Sequence, residues 1–249
     1  MDISQTADSY DEQWNRLHDF IQFNPGARHR RRLLEETLKQ TNLTQPTVID
    51  AGCGLGFNVS AIISALPYSN ITGIDFSATA IEGAARRFPN HHWKVINLNS
   101  PSELFSADVV VCTEVIEHVD DPLLLLQNLN LMVRRGGFLV LTTQSGKIHQ
   151  TEKMVGHLQH FKINQLEESL CRMGYQIRSS TTWGWPGYVI IKYVGNINAR
   201  RTMDALGSGR YGFIARTINY VAFIFSGIFS RENSSRGSQI VLLAQKANV

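Results

Sequence analysis

A doubly wound α/β fold with a mostly parallel, seven-stranded sheet is the architecture this sequence predicts, on three observations. Residues 48–50, Val-Ile-Asp, end an apolar run, three glycines follow at alternate positions (Gly52, Gly54 and Gly56), and Asn58 opens an amphipathic helical pattern. Strand-like runs alternate with helical patterns from there to residue 182. Residues 107–113, Ala-Asp-Val-Val-Val-Cys-Thr, are almost continuously apolar, as a parallel strand covered on both faces should be.

The elements follow in order. Tyr10, Trp14, Leu17, Phe20 and Ile21 recur at helical spacing until Asn24-Pro25-Gly26 interrupts them. A second helix is expected from about Arg28 to Gln40, with Leu33, Leu34 and Leu38 on one face. Residues 48–51 are the first strand and 70–75 the second, ending in Asp75. Ser77 is placed to cap the helix that runs to Arg87. Residues 92–97 and 107–113 are strands three and four. The Leu-rich stretch 122–132 is a helix ending at Arg134-Arg-Gly-Gly137, cations and then glycine. Residues 138–143 are strand five, and a helix over 165–173 stops at Gly174. Residues 175–182 and 239–244 are the last two strands. Residues 183–188 read as an aromatic turn and 195–212 as a polar loop. The chain is expected to be one domain over 1–249, with N-terminal helices in 1–44, a ligand-binding half in 45–145 and a second half in 146–249.

A net charge of +3 is too small to argue for a nucleic-acid partner, and the basic run Arg28–Arg32 is local. Cys53, Cys112 and Cys171 lie far apart without metal spacing or a disulfide framework, which predicts a reducing, cytoplasmic setting. The first residues carry neither a cationic nor an apolar segment of a signal peptide.

A strand that turns through glycines into a helix brings bare backbone close to a ligand and aims helix N–H groups at it. Dinucleotides and S-adenosylmethionine both use the device. A dinucleotide fingerprint wants a glycine three residues after the second one. Phe57 stands there. Asp75 ends the next strand about twenty residues on, where an acid reaches ribose hydroxyls.

Strand four runs into Thr113-Glu-Val-Ile-Glu-His-Val-Asp-Asp-Pro122. With the glycine turn and the Gly-Gly before strand five, this stretch closely resembles the class I S-adenosylmethionine-dependent methyltransferases. The group in question includes the ubiquinone-pathway O-methyltransferases and many sugar and natural-product methyltransferases. The resemblance covers roughly residues 45–180. It implies a Rossmann-like fold with the last two strands antiparallel, and S-adenosyl-L-methionine as cofactor. It also implies roles. Gly52 and Gly54 would let the backbone approach the methionine moiety, Asp75 would hold the ribose and Phe76 would flank the adenine, with Asp50 also among the cofactor-binding residues. Thr113 would offer backbone contacts, and Arg32 would meet the cofactor carboxylate. Where the family often has an acid for the adenine amino group, this chain has Asn97, whose carbonyl also accepts.

Methyl transfer is a displacement at a carbon already activated by the sulfonium, so alignment and desolvation are the protein's main tasks. A hydroxyl acceptor also loses a proton, which histidine suits. His118 and His160 are the candidates; His157 reads more simply as an exposed loop residue. His157 and His160 are spaced for a metal, but no third ligand is evident in the sequence, so none is expected. The expected activity is O-methylation of a small-molecule, sugar or lipid-linked acceptor. N- or C-methylation, a silent cofactor-binding protein and a nicotinamide-dependent oxidoreductase are the alternatives. No Asn/Asp-Pro-Pro-Tyr/Phe motif follows strand four, which argues against methylation of nucleic-acid bases. Residues 218–229 are apolar, aromatic and flanked by Arg216 and Arg231, yet shorter than the about twenty residues that span a bilayer. A buried helix, a helix touching a membrane or lipid-linked acceptor, and a dimer surface are the three readings of the segment 213–229.

Overall fold

A computed structural model describes Trp14 and residues 18–101, 105–206 and 209–248. Residues 18–23 are helical; Tyr10 and Leu17 lie outside the described residues. Helix α1 spans Pro25–Lys39, three residues earlier than the sequence suggests. The residues read as a break are its start: Asn24 accepts from the Ala27 N–H at 3.2 Å, and Pro25 occupies the first turn, where its missing N–H costs nothing.

Strands β1 (Thr47–Ala51), β2 (Asn70–Asp75), β3 (His92–Val95), β4 (Ala107–Thr113) and β5 (Val133–Gln144) pair in parallel in the order β3-β2-β1-β4-β5. Helices α2 (Val59–Ala65), α3 (Ala78–Arg87) and α4 (Pro122–Met132) connect them. Past two further helices, α5 (Gln150–Met154) and α6 (Ile163–Arg172), lies β6 (Tyr175–Pro186). Beyond it come α7 (Gly187–Asn196), α8 (Ala199–Leu206), α9 (Phe213–Phe229), β7 (Ser230–Glu232) and β8 (Gln239–Lys246). Strand β8 runs antiparallel to both β5 and β6, so β6 points the same way as β5. Among the described residues the sheet has eight strands rather than seven, because the three-residue β7 adds an antiparallel edge to β6 at Trp183, Trp185 and Pro186. The aromatic turn expected at 183–188 is therefore the end of a strand and the start of a helix. Trp183 and Tyr188 stack at 5.3 Å and are buried with Leu33 and Val241.

Alternation along β4 explains its apolar run. Val109 and Val111 face Leu34, Leu38 and Ile62 of α1 and α2, while Val110 and Cys112 face Leu125, Leu129 and Leu166 of α4 and α6. Both faces are covered, as in other parallel sheets.

Helix α9 is inside out. Its sheltered positions are Ala215, Asn219, Ala222, Phe223 and Ser226. Its outward positions are Phe213, Ile214, Ile218, Val221 and Ile228, each more than half exposed. The buried-helix reading does not hold, because apart from Phe223 the residues facing the protein are small or polar and most of the large apolar ones face away. His29 of α1 anchors the inner face, with Nε2 3.0 Å from the Phe223 carbonyl oxygen and 3.1 Å from Ser226 Oγ. The Arg28 guanidinium lies 3.9 Å above the Phe223 ring. No helix among the described residues is long and apolar enough to cross a membrane.

Candidate active site

The strand order reverses between β1 and β4, and ligands of open α/β sheets bind beyond the carboxyl ends of strands at such a point. A cavity of about 670 Å³ lies there, within the usual range for ligand pockets. Gly52, Asp75, Phe76, Asn97 and Thr113 line one end. Gly52 has φ +74°, and its N–H donates to the Ile74 carbonyl at 2.8 Å. A Cβ there would sit 2.3 Å from Val115 Cγ2. Gly54 (φ +52°) donates its N–H to Asp75 Oδ2 at 2.9 Å, and the Ser77 N–H bonds Asp75 Oδ1 at 3.0 Å. The glycine turn and the next helix start thus fix the Asp75 carboxylate at the cavity wall.

Asp50 is fully buried behind the turn and does not line the cavity. Burial, with Asp75 nearby, pushes its carboxyl up to about 7 against a hydrogen bond from Asn58. The Asn58 amide donates to Asp50 Oδ1 at 3.4 Å and to Thr113 Oγ1 at 2.9 Å, tying β1, α2 and β4 together. Asp50 is a positioning group, and Asn58 is a lining residue that sequence reasoning passed over.

Arg32 points elsewhere. Its guanidinium bonds Glu36 at 3.0 Å and approaches Glu232 at 3.8 Å, outside the cavity. Arg30 and Arg31 line the cavity instead. Arg31 donates to the Ile21 and Gln22 carbonyls at 3.1 and 2.7 Å, and burial lowers its guanidinium to about 10. Arg30 lies 3.3 Å from Glu114 Oε2.

Glu114 is in the left-handed region (φ +54°), a strained conformation for a side-chain-bearing residue. Its carboxylate accepts from Thr142 Oγ1 at 3.1 Å and Gln144 Nε2 at 2.6 Å, so three partners hold it at the other end of the cavity. Glu117, fully buried, accepts from Thr143 Oγ1 at 2.8 Å; burial and Glu114 push its carboxyl well up.

His118 lines this end. Its Nδ1 is 3.1 Å from the Gly156 carbonyl oxygen, so Nδ1 carries the proton and Nε2 is the acceptor nitrogen of the neutral ring. Burial lowers its pKa, opposed by the Gly156 bond and by Glu114. The other two histidines exchange their expected places. His157 lines the cavity, edge-on to His118 at 4.7 Å between ring centroids. His160 sits behind it, its Nε2 3.0 Å from His157 Nδ1 and its Nδ1 3.2 Å from the Gly146 carbonyl. Burial pushes His157 down to about 2 and lowers His160. Glu152 and Lys192 complete the wall as an ion pair at 2.5 Å. Among the described residues, two sets of side chains converge closely enough to hold a metal ion: Glu117, His118 and His157, and Glu152, His157 and His160. The acid that joins the two histidines, Glu152 of α5, is one that the sequence did not reveal.

A doubly wound sheet whose glycine turn and strand-end acid face a cavity at its switch point is the frame shared by enzymes that bind nucleoside cofactors, the S-adenosylmethionine-dependent methyltransferases among them. The comparisons agree. Residues 26–180 match the family model described as "Methyltransferase domain", and the chain belongs to that family. It is 25% identical over 193 residues to malonyl-acyl-carrier-protein O-methyltransferase of a Paenibacillus species, covering 68% of this chain and 67% of that one. It is 32% identical over 107 residues to ubiquinone biosynthesis O-methyltransferase of Nitrosomonas europaea, covering 41% of this chain and 45% of the relative. Among solved structures, phosphoethanolamine N-methyltransferase 2 of Haemonchus contortus in complex with S-adenosyl-L-methionine superposes with a TM-score of 0.62 at 18% identity. That match covers 99% of this chain and 59% of the other and bears on the fold.

Proposed function

We propose that this chain transfers the methyl group of S-adenosylmethionine to a hydroxyl oxygen of a small-molecule or lipid-linked acceptor. The cofactor occupies the end lined by Gly52, Asp75, Phe76, Asn97 and Thr113, and the acceptor the end lined by His118. One observation carries the choice of a hydroxyl. Two ion pairs stand at the acceptor end beside His118, Arg30 with Glu114 and Lys192 with Glu152, and Asp120 adds a further acid to the lining. Paired cations leave a carboxylate acceptor no free partner among them, and the neutral His118 suits a hydroxyl, which must lose a proton. The Paenibacillus and Nitrosomonas relatives, both named O-methyltransferases, support oxygen as the methylated atom. The test is transfer of labelled methyl from S-adenosylmethionine to a panel of hydroxyl, amine and carboxyl acceptors of matched size. Methylation confined to amines or carboxyls would overturn the reading.

Asp75→Ala is expected to weaken cofactor binding by about 1–3 kcal/mol, the cost of a lost charged hydrogen-bond partner. Calorimetry with S-adenosylhomocysteine measures it, and unchanged affinity would remove Asp75 from the ribose site.

The acceptor end opens beside α9, where Ile218, Asn219 and Ala222 line the cavity. Around that mouth, α7 and the residue after it add exposed Tyr193, Val194 and Ile197. Solvated helices turn such residues inward, so this face suits the apolar boundary of a membrane, with Arg216 and Arg231 toward its headgroups. On this reading the protein touches the membrane that carries its acceptor. Co-sedimentation is expected with phosphatidylcholine vesicles containing phosphatidylglycerol, weakening as salt rises. Ile214→Ser with Ile228→Ser should reduce it by at least about tenfold, since each isoleucine contributes up to about 1.5–3 kcal/mol on full burial. Wild-type protein left in the supernatant at low salt would refute membrane contact.

A further inference from the structure

The inner wall of the acceptor end is built from more than one base. Glu152 of α5, His157 and His160 bring three potential ligand atoms within 4.8 Å of one another. His157 Nδ1 and His160 Nε2 are 3.0 Å apart, and His160 Nε2 is 3.8 Å from Glu152 Oε2. Zinc binds imidazole nitrogen and carboxylate oxygen at about 2.0–2.2 Å, which puts tetrahedral ligand atoms roughly 3.4 Å apart. The two separations bracket that value.

The surroundings prepare the ligands. The Gly146 carbonyl accepts from His160 Nδ1–H, so Nε2 points its lone pair at the cluster, where it accepts from His157 Nδ1–H until an ion displaces that proton to His157 Nε2 or to solvent. A backbone carbonyl fixing the remote ring nitrogen is the usual support of a metal-bound histidine. Glu152 is oriented twice, by the His149 N–H on Oε2 at 2.7 Å and by Lys192 on Oε1 at 2.5 Å. His157 and Glu152 line the cavity while His160 stands behind them, so the three leave the cavity side open. The second convergent set is less suited, because Glu117 is sealed from solvent and bonded to Thr143.

We propose that Glu152, His157 and His160 hold a divalent ion of the zinc class, with its open coordination position facing the acceptor. Two histidines, one glutamate and an open fourth position form a donor set that catalytic zinc uses. The ion would polarise an acceptor hydroxyl bound to it and ease loss of its proton, with the neighbouring His118 receiving that proton. What the ion does rests on the methyl-transfer reading; whether it binds does not. Lys192 shares Glu152, so the ion competes with an ammonium for part of the carboxylate.

The test uses the full chain without an affinity tag, dialysed against a chelator and then titrated with Co²⁺ and Zn²⁺. Wild type is expected to take up one Co²⁺ with the visible absorption of a tetrahedral nitrogen and oxygen site, and Zn²⁺ to displace it. His160→Ala, whose side chain lies outside the cavity, should weaken uptake by at least about 100-fold, the upper end of what even outer partners of a metal cost. Glu152→Gln should weaken it likewise. S-adenosylhomocysteine calorimetry on the same samples keeps the two readings apart. Cofactor binding without Co²⁺ absorption in wild type, or wild-type Co²⁺ affinity in both variants, overturns the metal site and leaves the methyltransferase standing. Co²⁺ uptake that depends on His160 and Glu152 without cofactor binding upholds the site and overturns the reading of the cavity.

Discussion

Replacing Gly52 with valine abolishes cofactor binding while the protein stays folded. Two independent effects act at this position. The backbone has φ +74°, which a β-branched residue almost never adopts and which costs an L-residue about 1–2 kcal/mol or more. A Cβ would also stand 2.3 Å from Val115 Cγ2, so the turn or the start of the strand-four motif must move. Gly52 lines the cavity and its N–H holds the Ile74 carbonyl, so the shift reaches both β1 and β2 at the cofactor end. Gly174→Ala is the control. It has the same sign of φ, +86°, but nothing lies within 4 Å of its added Cβ. Calorimetry with S-adenosylhomocysteine should show no binding for Gly52→Val and wild-type affinity for Gly174→Ala, both with cooperative thermal melts. Wild-type affinity in Gly52→Val would mean that the cofactor does not approach this turn.

The glycine turn was legible because its chemistry is local: strand, glycines and helix start are consecutive, and the strand-end acid follows at a fixed distance. What escaped depends on phase or on distant partners. Four arginines within Arg28–Arg32 leave the phase of α1 undecided, and Arg30 and Arg31 rather than Arg32 turn to the cavity. His157 and His160 differ by three residues in a non-helical stretch, so nothing local says which faces inward; the Gly146 carbonyl decides it. Glu152 and Lys192 meet across 40 residues of chain, and no spacing rule joins them. Strand β7 has three polar or charged residues and exists only because β6 offers an edge. Residues 199–206 read as loop because a charged eight-residue helix depends on its neighbours for stability.

His118→Asn should lower turnover by about 10²–10⁴-fold, the usual contribution of a general base, and leave cofactor affinity nearly unchanged. The asparagine amide stands where Nδ1 stood and can still donate to the Gly156 carbonyl, so the loop keeps its contact while the basic nitrogen is lost. The pH profile supplies a second readout. Burial lowers the His118 pKa, so the neutral, proton-accepting ring persists below the ordinary histidine value of about 6.5. The acid limb of kcat/KM should therefore fall below that pH in wild type and disappear from the residual activity of the variant. Acid also acts on the fold. His29, His118, His157 and His160 are all lowered by burial, so their part of the stability falls as pH drops below the ordinary histidine value, while the raised carboxyls of Asp50 and Glu117 act in the opposite sense. Thermal melts across the same pH series separate the two effects: the His118 limb must appear where the protein is still folded. A variant that keeps turnover within about threefold, far short of the general-base range, would show that alignment alone carries the reaction.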